Sequence, residues 1–421
     1  MPATSAIPSM AQRTVGIIGG GAAGMMASIY AAQNGALVTL FEKNDYLGKK
    51  LGITGKGRCN VTNDCDSQEF LKNVIANPKF LYASINNFST QDTKAFFEGL
   101  GVPLKTERGR RVFPVSDKAA DIVNALKNCL LDYGVKVVKE KVTAITTDGD
   151  TVTGLKTEFN TYDFDAVICA TGGASYPMTG SDGDGYRFAK KLGIEVREIF
   201  PSLVPLETKE DVSGLMGLSL KNVTLKIVDN KTGKTVFNEL GEMLFTHFGL
   251  TGPLVLSASS HMREMEKGRY KAYIDFKPAL DYAELDKRVL SDFSKHVNKD
   301  FANSLGNLLP SKIIPYMIER SGILPTTKVN EITKEQRKAF IETLKALSLE
   351  VTGFRPIREA IVTAGGISVK EINPSDMRSR KYKGLYFAGE VIDVDAYTGG
   401  YNLQIAFSTG ALAGMHAAWG E

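Results

Sequence analysis

Gly19, Gly21 and Gly24 stand in a G-x-G-x-x-G spacing, and a carboxylate, Glu42, follows 18 residues beyond the last of them. Gly-rich turns are common, so the spacing gains meaning from its flanks: the apolar stretch Val15 to Ile18 before it and a helical pattern after it. In that setting Gly19 permits a tight turn, Gly21 lets backbone amides approach a pyrophosphate, and Gly24 allows close helix packing. Glu42 can accept hydrogen bonds from ribose hydroxyls and repels a 2′-phosphate. The expected dinucleotide is therefore FAD or NAD rather than NADP.

The far end of the chain favours FAD. Leu385 to Glu390 (LYFAGE) reads as a buried strand ending in Gly389 and the acid Glu390, and Tyr397-Thr398-Gly399-Gly400-Tyr401-Asn402 opens a helix. In two-dinucleotide-fold flavoproteins an acid at such a strand end binds the ribityl chain, and the amino end of the following helix faces the flavin pyrimidine. That terminus offers free amides and a positive dipole to the charge that accumulates at flavin N1 and C2=O on reduction. Ala170-Thr171-Gly172-Gly173 resembles the strand-end ATG element of the same proteins. With no recognisable flavinylation signal, the FAD is expected to be noncovalent.

The elements that must position these residues are legible in outline. Val15 to Phe41 carries no charged residue over 27 positions, which invites a membrane reading. Six glycines with Gln33 and Asn34 make a poor spanning helix, and strand, tight turn, helix and strand, a βαβ unit, fits better. A helix is predicted from Asp117 to Tyr133, strands around the Asp148-Gly149-Asp150 turn, and an apolar strand from Ala166 to Ala170. The texture is β-rich from 196 to 280, then charged, Leu-rich and helical from 281 to 354 before the glycine clusters return. The expected organisation is an α/β nucleotide domain from 13–195 and 355–421, with a β-rich insertion over 196–280 and a helical insertion over 281–354. Residues 1–12 read as an unstructured leader without a transport signature. The 51 basic and 47 acidic residues leave a net charge of +4, too thin for a dedicated nucleic-acid binder, so no nucleic-acid partner is expected. Four cysteines are too few for a disulfide scaffold, and the cytoplasm is the expected home.

The runs GKGRCNVTN (55–63), RVFPVSDKAADIV (111–123), ATGGASYPMTGSDGDGY (170–186), LFTHFGLTGP (244–253) and AGEVIDVDAYTGGYNLQIAFSTG (388–410) resemble the BaiN/YhiN-like, or aminoacetone-oxidase-like, flavoproteins over roughly residues 13 to 419. The resemblance implies a discontinuous Rossmann-type FAD domain with a β-barrel-like domain and a helical subdomain inserted. It leaves the substrate open, because the family's activities include a bile-acid reductase and an aminoacetone oxidase.

The candidate cofactor-binding residues are Gly19, Gly21, Ala22, Ala23, Gly24, Glu42, Lys43, Lys50, Gly57, Arg58, Cys59, Asn60, Val142, Ala170, Thr171, Gly172, Gly389, Glu390, Gly400, Tyr401, Asn402 and Leu403. In the 55–60 loop, Lys56 or Arg58 could stabilise anionic reduced flavin, or the loop could simply pack beneath the cofactor. Cys59 and Cys65 are spaced unlike the dithiol of flavin disulfide reductases, so buried free thiols are expected. Arg58, His247, Tyr397 and Tyr401 are the candidate catalytic residues. His247 could supply a proton or be structural, and the two tyrosines could donate to a substrate oxygen or pack the flavin edge. No metal site is expected from the histidine spacing. The leading functional reading is FAD-dependent reduction of a conjugated enone, steroid or bile-acid-like, with NAD(P)H as possible donor. The alternatives are oxidation of an aminoacetone-like amine by O₂ and a flavin-binding regulatory or RNA-modification partner. The oligomeric state is open.

Overall fold

Five short apolar runs, Thr14–Ile18, Leu37–Phe41, Lys136–Val138, Ala166–Cys169 and Leu385–Phe387, form one parallel sheet in a computed structural model that describes residues 12–420. The leader expected over residues 1–12 lies, apart from Gln12, outside the described residues. The central runs are apolar at nearly every position because the sheet is covered, with Ala22–Gln33, Tyr401–Trp419 and the strand Thr151–Thr157 packed against it: Val15, Ile17, Val167 and Ile168 have no exposed surface. The strand order is Leu385–Phe387, Ala166–Cys169, Thr14–Ile18, Leu37–Phe41, Lys136–Val138. Its register sets Phe387, Cys169, Ile18, Phe41 and Val138 in one row. The chain therefore leaves the sheet along one edge at Ala388, Ala170, Gly19, Glu42 and Lys139.

The first helix, Ala22–Gln33, packs along the last, Tyr401–Trp419. Both carry Ala and Gly where they meet, and a Cβ added at Gly410 or Gly414 would run into the carbonyl of Ala23 or Ala27. Thus the uncharged stretch 15–41 is strand, turn, helix and strand, and among the described residues no helix is long and apolar enough to cross a membrane. Two small antiparallel sheets also belong to this unit. One joins Thr62–Asn63, Arg111–Pro114 and Leu104–Glu107; the other is the meander Val142–Asp148, Thr151–Thr157, Thr161–Asp163, turning at Gly149.

Residues up to Phe200, with Ile361 onward, make this unit, and Pro201–Ala360 make the second. The breaks fall five or six residues later than the composition shifts at 195/196 and 354/355: Val196–Ser202 pairs with Val362–Ile367 of the nucleotide-binding part, and Arg355 is held in the second unit by Glu207 and the Pro205 carbonyl. In the second unit Leu206–Thr208, Gly249–Thr251, Lys234–Phe245, Ser219–Asp229, Tyr270–Asp275 and Leu347–Phe354 close a six-stranded barrel. Leu347–Phe354 corrects the expectation of helix over 281–354. Its residues alternate buried and half-buried through Val351, a strand period, and it pairs with Tyr270–Asp275 and Leu206–Thr208 to seal the barrel. The helices Tyr282–Ser294 and Lys334–Lys345 each begin at a reciprocal capping box, Asp281 with Glu284 and Thr333 with Gln336.

Candidate functional site

At the carboxyl edge of the central strand, Gly19 takes φ 104°, and its amide donates to the Phe41 carbonyl at 2.8 Å. A Cβ on Gly24 would overlap the Gly19 carbonyl, so the helix can pack on its own turn only with glycine there. Gly21 caps the helix from an extended conformation, and a Cβ on it would meet nothing within 4 Å. The first intrahelical bond runs from Met25 to Gly21, which leaves the amides of Ala22, Ala23 and Gly24 without an acceptor inside the helix. No acidic side chain occupies the first turn. This end is open, positive and rich in donors.

Glu42, 9% exposed, takes hydrogen bonds from the Gly20 amide at 2.8 Å and from the Asn44 amide and side chain at 2.8 and 2.7 Å. A carboxylate has about four acceptor positions, so about one remains for a further donor. Beside it a cavity of about 450 Å³ is lined by Lys43, Asn44, Lys139, Lys141, Phe159 and Asp182, among others. Lys43 does not present a free charge: Asp182 and Asp184 hold its ammonium at 2.8 and 2.5 Å. Val142, one residue beyond Lys141, begins the meander and is buried.

Across the sheet edge, Glu390 accepts from Ser175 Oγ at 3.0 Å, the Thr363 amide at 2.9 Å and Lys50 Nζ at 2.7 Å. Lys50 also donates to Ser175 Oγ at 2.7 Å, which leaves one of its three N–H groups for another acceptor. Gly172 has φ 74°, and a Cβ on Gly173 would strike Thr363 Oγ1 and approach Glu390 Oε1. The Ala170–Gly173 turn is thus pressed onto this cluster. Gly389 takes φ 77° with its Cα side against Ala23 of the first helix.

The Tyr401–Trp419 helix opens without a side-chain cap and without an acid in its first turn. Gly400, at φ 98°, lies on the backbone of Thr62, where a Cβ would clash. Asn63 Nδ2 reaches the Gly399 carbonyl at 3.0 Å, and Gln404, fully buried, accepts from Thr62 and Thr93 at 2.6 and 2.8 Å. Asn402 spends its side chain on the loop before it, bonding Ala396 through both amide and carbonyl and the carbonyl of Tyr397. Only its backbone remains for a ligand. Tyr401 turns inward against Phe70, with ring centroids 5.4 Å apart, and burial pushes its phenol up to about 12. Tyr397 is half-buried, and Leu403 packs at the edge of the core.

In the loop before Asn60, left-handed backbone recurs at Gly55, Lys56, Gly57 and Cys59. It ends at Asn60, whose buried Oδ1 has no hydrogen-bond partner, which marks an acceptor aimed at something other than this chain. Arg58 departs from the role of an available flavin cation. Its guanidinium donates to Glu107 and Asp117 and lies 4.2 Å from the centre of the Phe113 ring; those bonds raise its pKa and lower both carboxylates. Cys59 and Cys65 are buried free thiols, Cys59 pushed up to about 12 and Cys65 to about 11 by desolvation. His247 belongs to the barrel unit, exposed in the turn between two strands with its ring edge-on to Phe248 at 5.0 Å.

These groups fit FAD. An open glycine at a helix amino end, a buried carboxylate with acceptor capacity, an unpartnered Asn60 oxygen and an uncapped second helix terminus leave one sheet edge or flank it. Asn44, Ser175, Thr363 and Asn63, which hold those groups in place, carry no motif of their own. Ser175 and Asn63 do lie inside the distinctive runs.

A model of the HI0933-like protein Rossmann domain matches residues 13–416. A 3-dehydro-bile acid Δ(4,6)-reductase of Clostridium scindens is 31% identical over 96% of this chain and 98% of its own. The ribosomal RNA dihydrouridine synthases of Haemophilus influenzae and Escherichia coli are each 31% identical over 93% of this chain and 95% of theirs. Among solved structures, a 3-ketosteroid Δ1-dehydrogenase from Sterolibacterium denitrificans superposes with a TM-score of 0.51 at 14% identity, covering 97% of this chain and 100% of that one. The last likeness shows the fold alone. From the sheet edge to the inserted barrel, and over nearly its whole length, this chain belongs to the HI0933-like family of FAD-dependent oxidoreductases.

Proposed function

We propose that the protein reduces a carbon–carbon double bond conjugated to a carbonyl. The observation that carries the reading is the uncapped, acid-free amino end of Tyr401–Trp419 at the edge where Lys50 and Glu390 stand. It suits a ring that must accept negative charge. The relatives support the choice of substrate bond: a Δ4 double bond beside a 3-oxo group and the C5=C6 bond of uracil beside its C4 carbonyl are the same electronic unit.

FAD, when bound, supplies hydride to the carbon β to the carbonyl. In this reading the amides of Ala22 and Ala23 beside Gly21 hold the pyrophosphate, and Glu42 the adenosine ribose. Glu390, oriented by Lys50 and Ser175, holds the ribityl chain, and the amides of Tyr401, Asn402 and Leu403 take the pyrimidine edge. In this reading half-buried Tyr397 donates to the substrate oxygen, where charge builds. Tyr401 keeps its proton at neutral pH and walls the site, and Arg58 acts structurally, clamping its loop to Glu107 and Asp117. The electron donor in this proposal is NADH or NADPH, entering the same face as substrate, with ping-pong kinetics.

The test is anaerobic stopped-flow absorbance. NAD(P)H should bleach the flavin, and a 3-oxo-4-ene steroid or a uridine-containing RNA should restore its colour faster than oxygen does. If neither acceptor reoxidises it while aminoacetone reduces it and O₂ restores it, the reductase reading fails in favour of amine oxidation.

A further inference from the structure

We infer that the turn Arg108-Gly109-Arg110-Arg111 is a phosphate-binding fork that docks a single-stranded RNA beside the reacting face. These three arginines are exposed, and among the described residues none forms an ion pair. Their cationic neighbours are unlike them: Arg58 is held by Glu107 and Asp117, Lys105 by Asp117, and Lys94 by Asp64. Glu107, Asp117 and Asp64 are engaged in those pairs, so the three arginines of the turn are left without a salt bridge, and Arg111 Nε turns to the Arg108 carbonyl at 3.1 Å.

The fork is also held rigidly. Gly109 and Arg110 both take left-handed backbone, at φ 77° and 58°. For arginine this is strained and persists only where the surroundings enforce it. Here they do: the Asp64 amide donates to the Arg110 carbonyl at 2.7 Å, and Asn63 Nδ2 to the Gly109 carbonyl at 3.1 Å. The same Asn63 nitrogen bonds the Gly399 carbonyl at 3.0 Å, and Gly400 rests on the backbone of Thr62 in the adjoining strand. One side chain thus bolts the arginine turn to the turn that opens the last helix.

A single carboxylate needs one such group, whereas three guanidinium groups on one turn suit successive phosphates of a strand. The thin net charge of the chain argued against a nucleic-acid partner, but a sum over 421 residues does not report three arginines on one rigid turn. The inference rests on the conjugated-double-bond reading for why a strand would be brought here: uracil is the RNA base that offers such a bond beside a carbonyl. Binding itself needs no turnover.

The experiment measures anisotropy of a labelled oligouridine with the FAD-loaded protein across a salt series. Three phosphate contacts predict a slope of about −2 in log K against log salt from this element. In R108A/R110A/R111A that part of the slope should vanish, so between 50 and 200 mM salt the wild type should lose roughly 20-fold more affinity than the variant. The triple lysine variant should keep most of the slope, and FAD content and the rate of steroid enone reduction should be unchanged in both. An unchanged slope in the alanine variant overturns the inference, as does an equal loss of affinity for a bile-acid carboxylate. If arginine-dependent RNA binding is found while no conjugated double bond is reduced, the docking surface stands and the reductase reading falls.

Discussion

Glu42 has three of its acceptor positions filled by Gly20 and Asn44, so its carboxylate braces the turn and keeps about one position for the ribose proposed above. Glu42→Ala should weaken FAD binding by about 1–3 kcal/mol, read as a rise in Kd by fluorescence titration; an unchanged Kd would mean the brace is its whole role. The buried thiols make a different prediction. Desolvation pushes Cys59 up to about 12 and Cys169 to about 11. A raised thiol pKa means the folded protein keeps protons that the unfolded chain gives up above about 8.5. Their contribution is therefore whole below that pH and declines as pH rises toward 11, by up to ~1.4 kcal/mol per pH unit for each thiol. Urea unfolding at pH 8 and pH 10, compared with Cys59→Ala, should show the wild type losing more. In the folded protein at pH 8 neither thiol should react with an aromatic disulfide reagent. Two new thiols appearing at Cys59 and Cys65 only on flavin reduction would restore the dithiol reading.

The turn and first helix separate two glycines that the motif treats alike. Gly24 faces the Gly19 carbonyl with no room for a methyl group, whereas Gly21 faces open space in a backbone conformation that alanine adopts readily. Gly24→Ala should lower the stability of the FAD-free protein by about 1–3 kcal/mol through overpacking. Gly21→Ala should stay within about 0.5 kcal/mol of wild type without FAD yet bind FAD more weakly, because the methyl group takes the approach of the pyrophosphate. Thermal melts with and without FAD distinguish the two. Equal effects of the two substitutions would show that the open side of Gly21 faces no ligand. The last helix depends on Asn402 in a comparable way: Asn402→Ala removes three hydrogen bonds to the Ala396–Tyr397 loop and should reduce FAD retention without losing a direct side-chain contact to the cofactor.

Across the whole chain, every proposed cofactor contact comes from the unit built from the two chain ends, and none from Pro201–Ala360. FAD at 100 times its Kd should stabilise the unit that binds it by ~2.7 kcal/mol. Differential scanning calorimetry should show this on the transition of the nucleotide-binding unit. Peptide-resolved hydrogen exchange should show the gain in protection at 19–24, 54–60 and 399–403. Protection gained mainly in the barrel strands would relocate the site.

The local chemistry of this chain was legible in its residues. Glycine spacing, an acid at the strand end, a period of two or of 3.6, and the family's distinctive runs each act within a few residues. They were enough to specify the βαβ unit, the Glu42 and Glu390 strand ends and the discontinuous Rossmann fold. Leu347–Phe354 escaped because eight residues beside a helical stretch show their strand period weakly until barrel partners select it. The pairings decided in space were beyond such reading. Lys50 meets Glu390 across 340 residues, Asn63 joins Gly109 to Gly399, Arg58 is spent on Glu107 and Asp117, and Tyr401 turns toward Phe70. A side chain's type states what it can bond. Which partner it bonds depends on which distant strands the folded core brings within about 3 Å, and only the tertiary structure decides that.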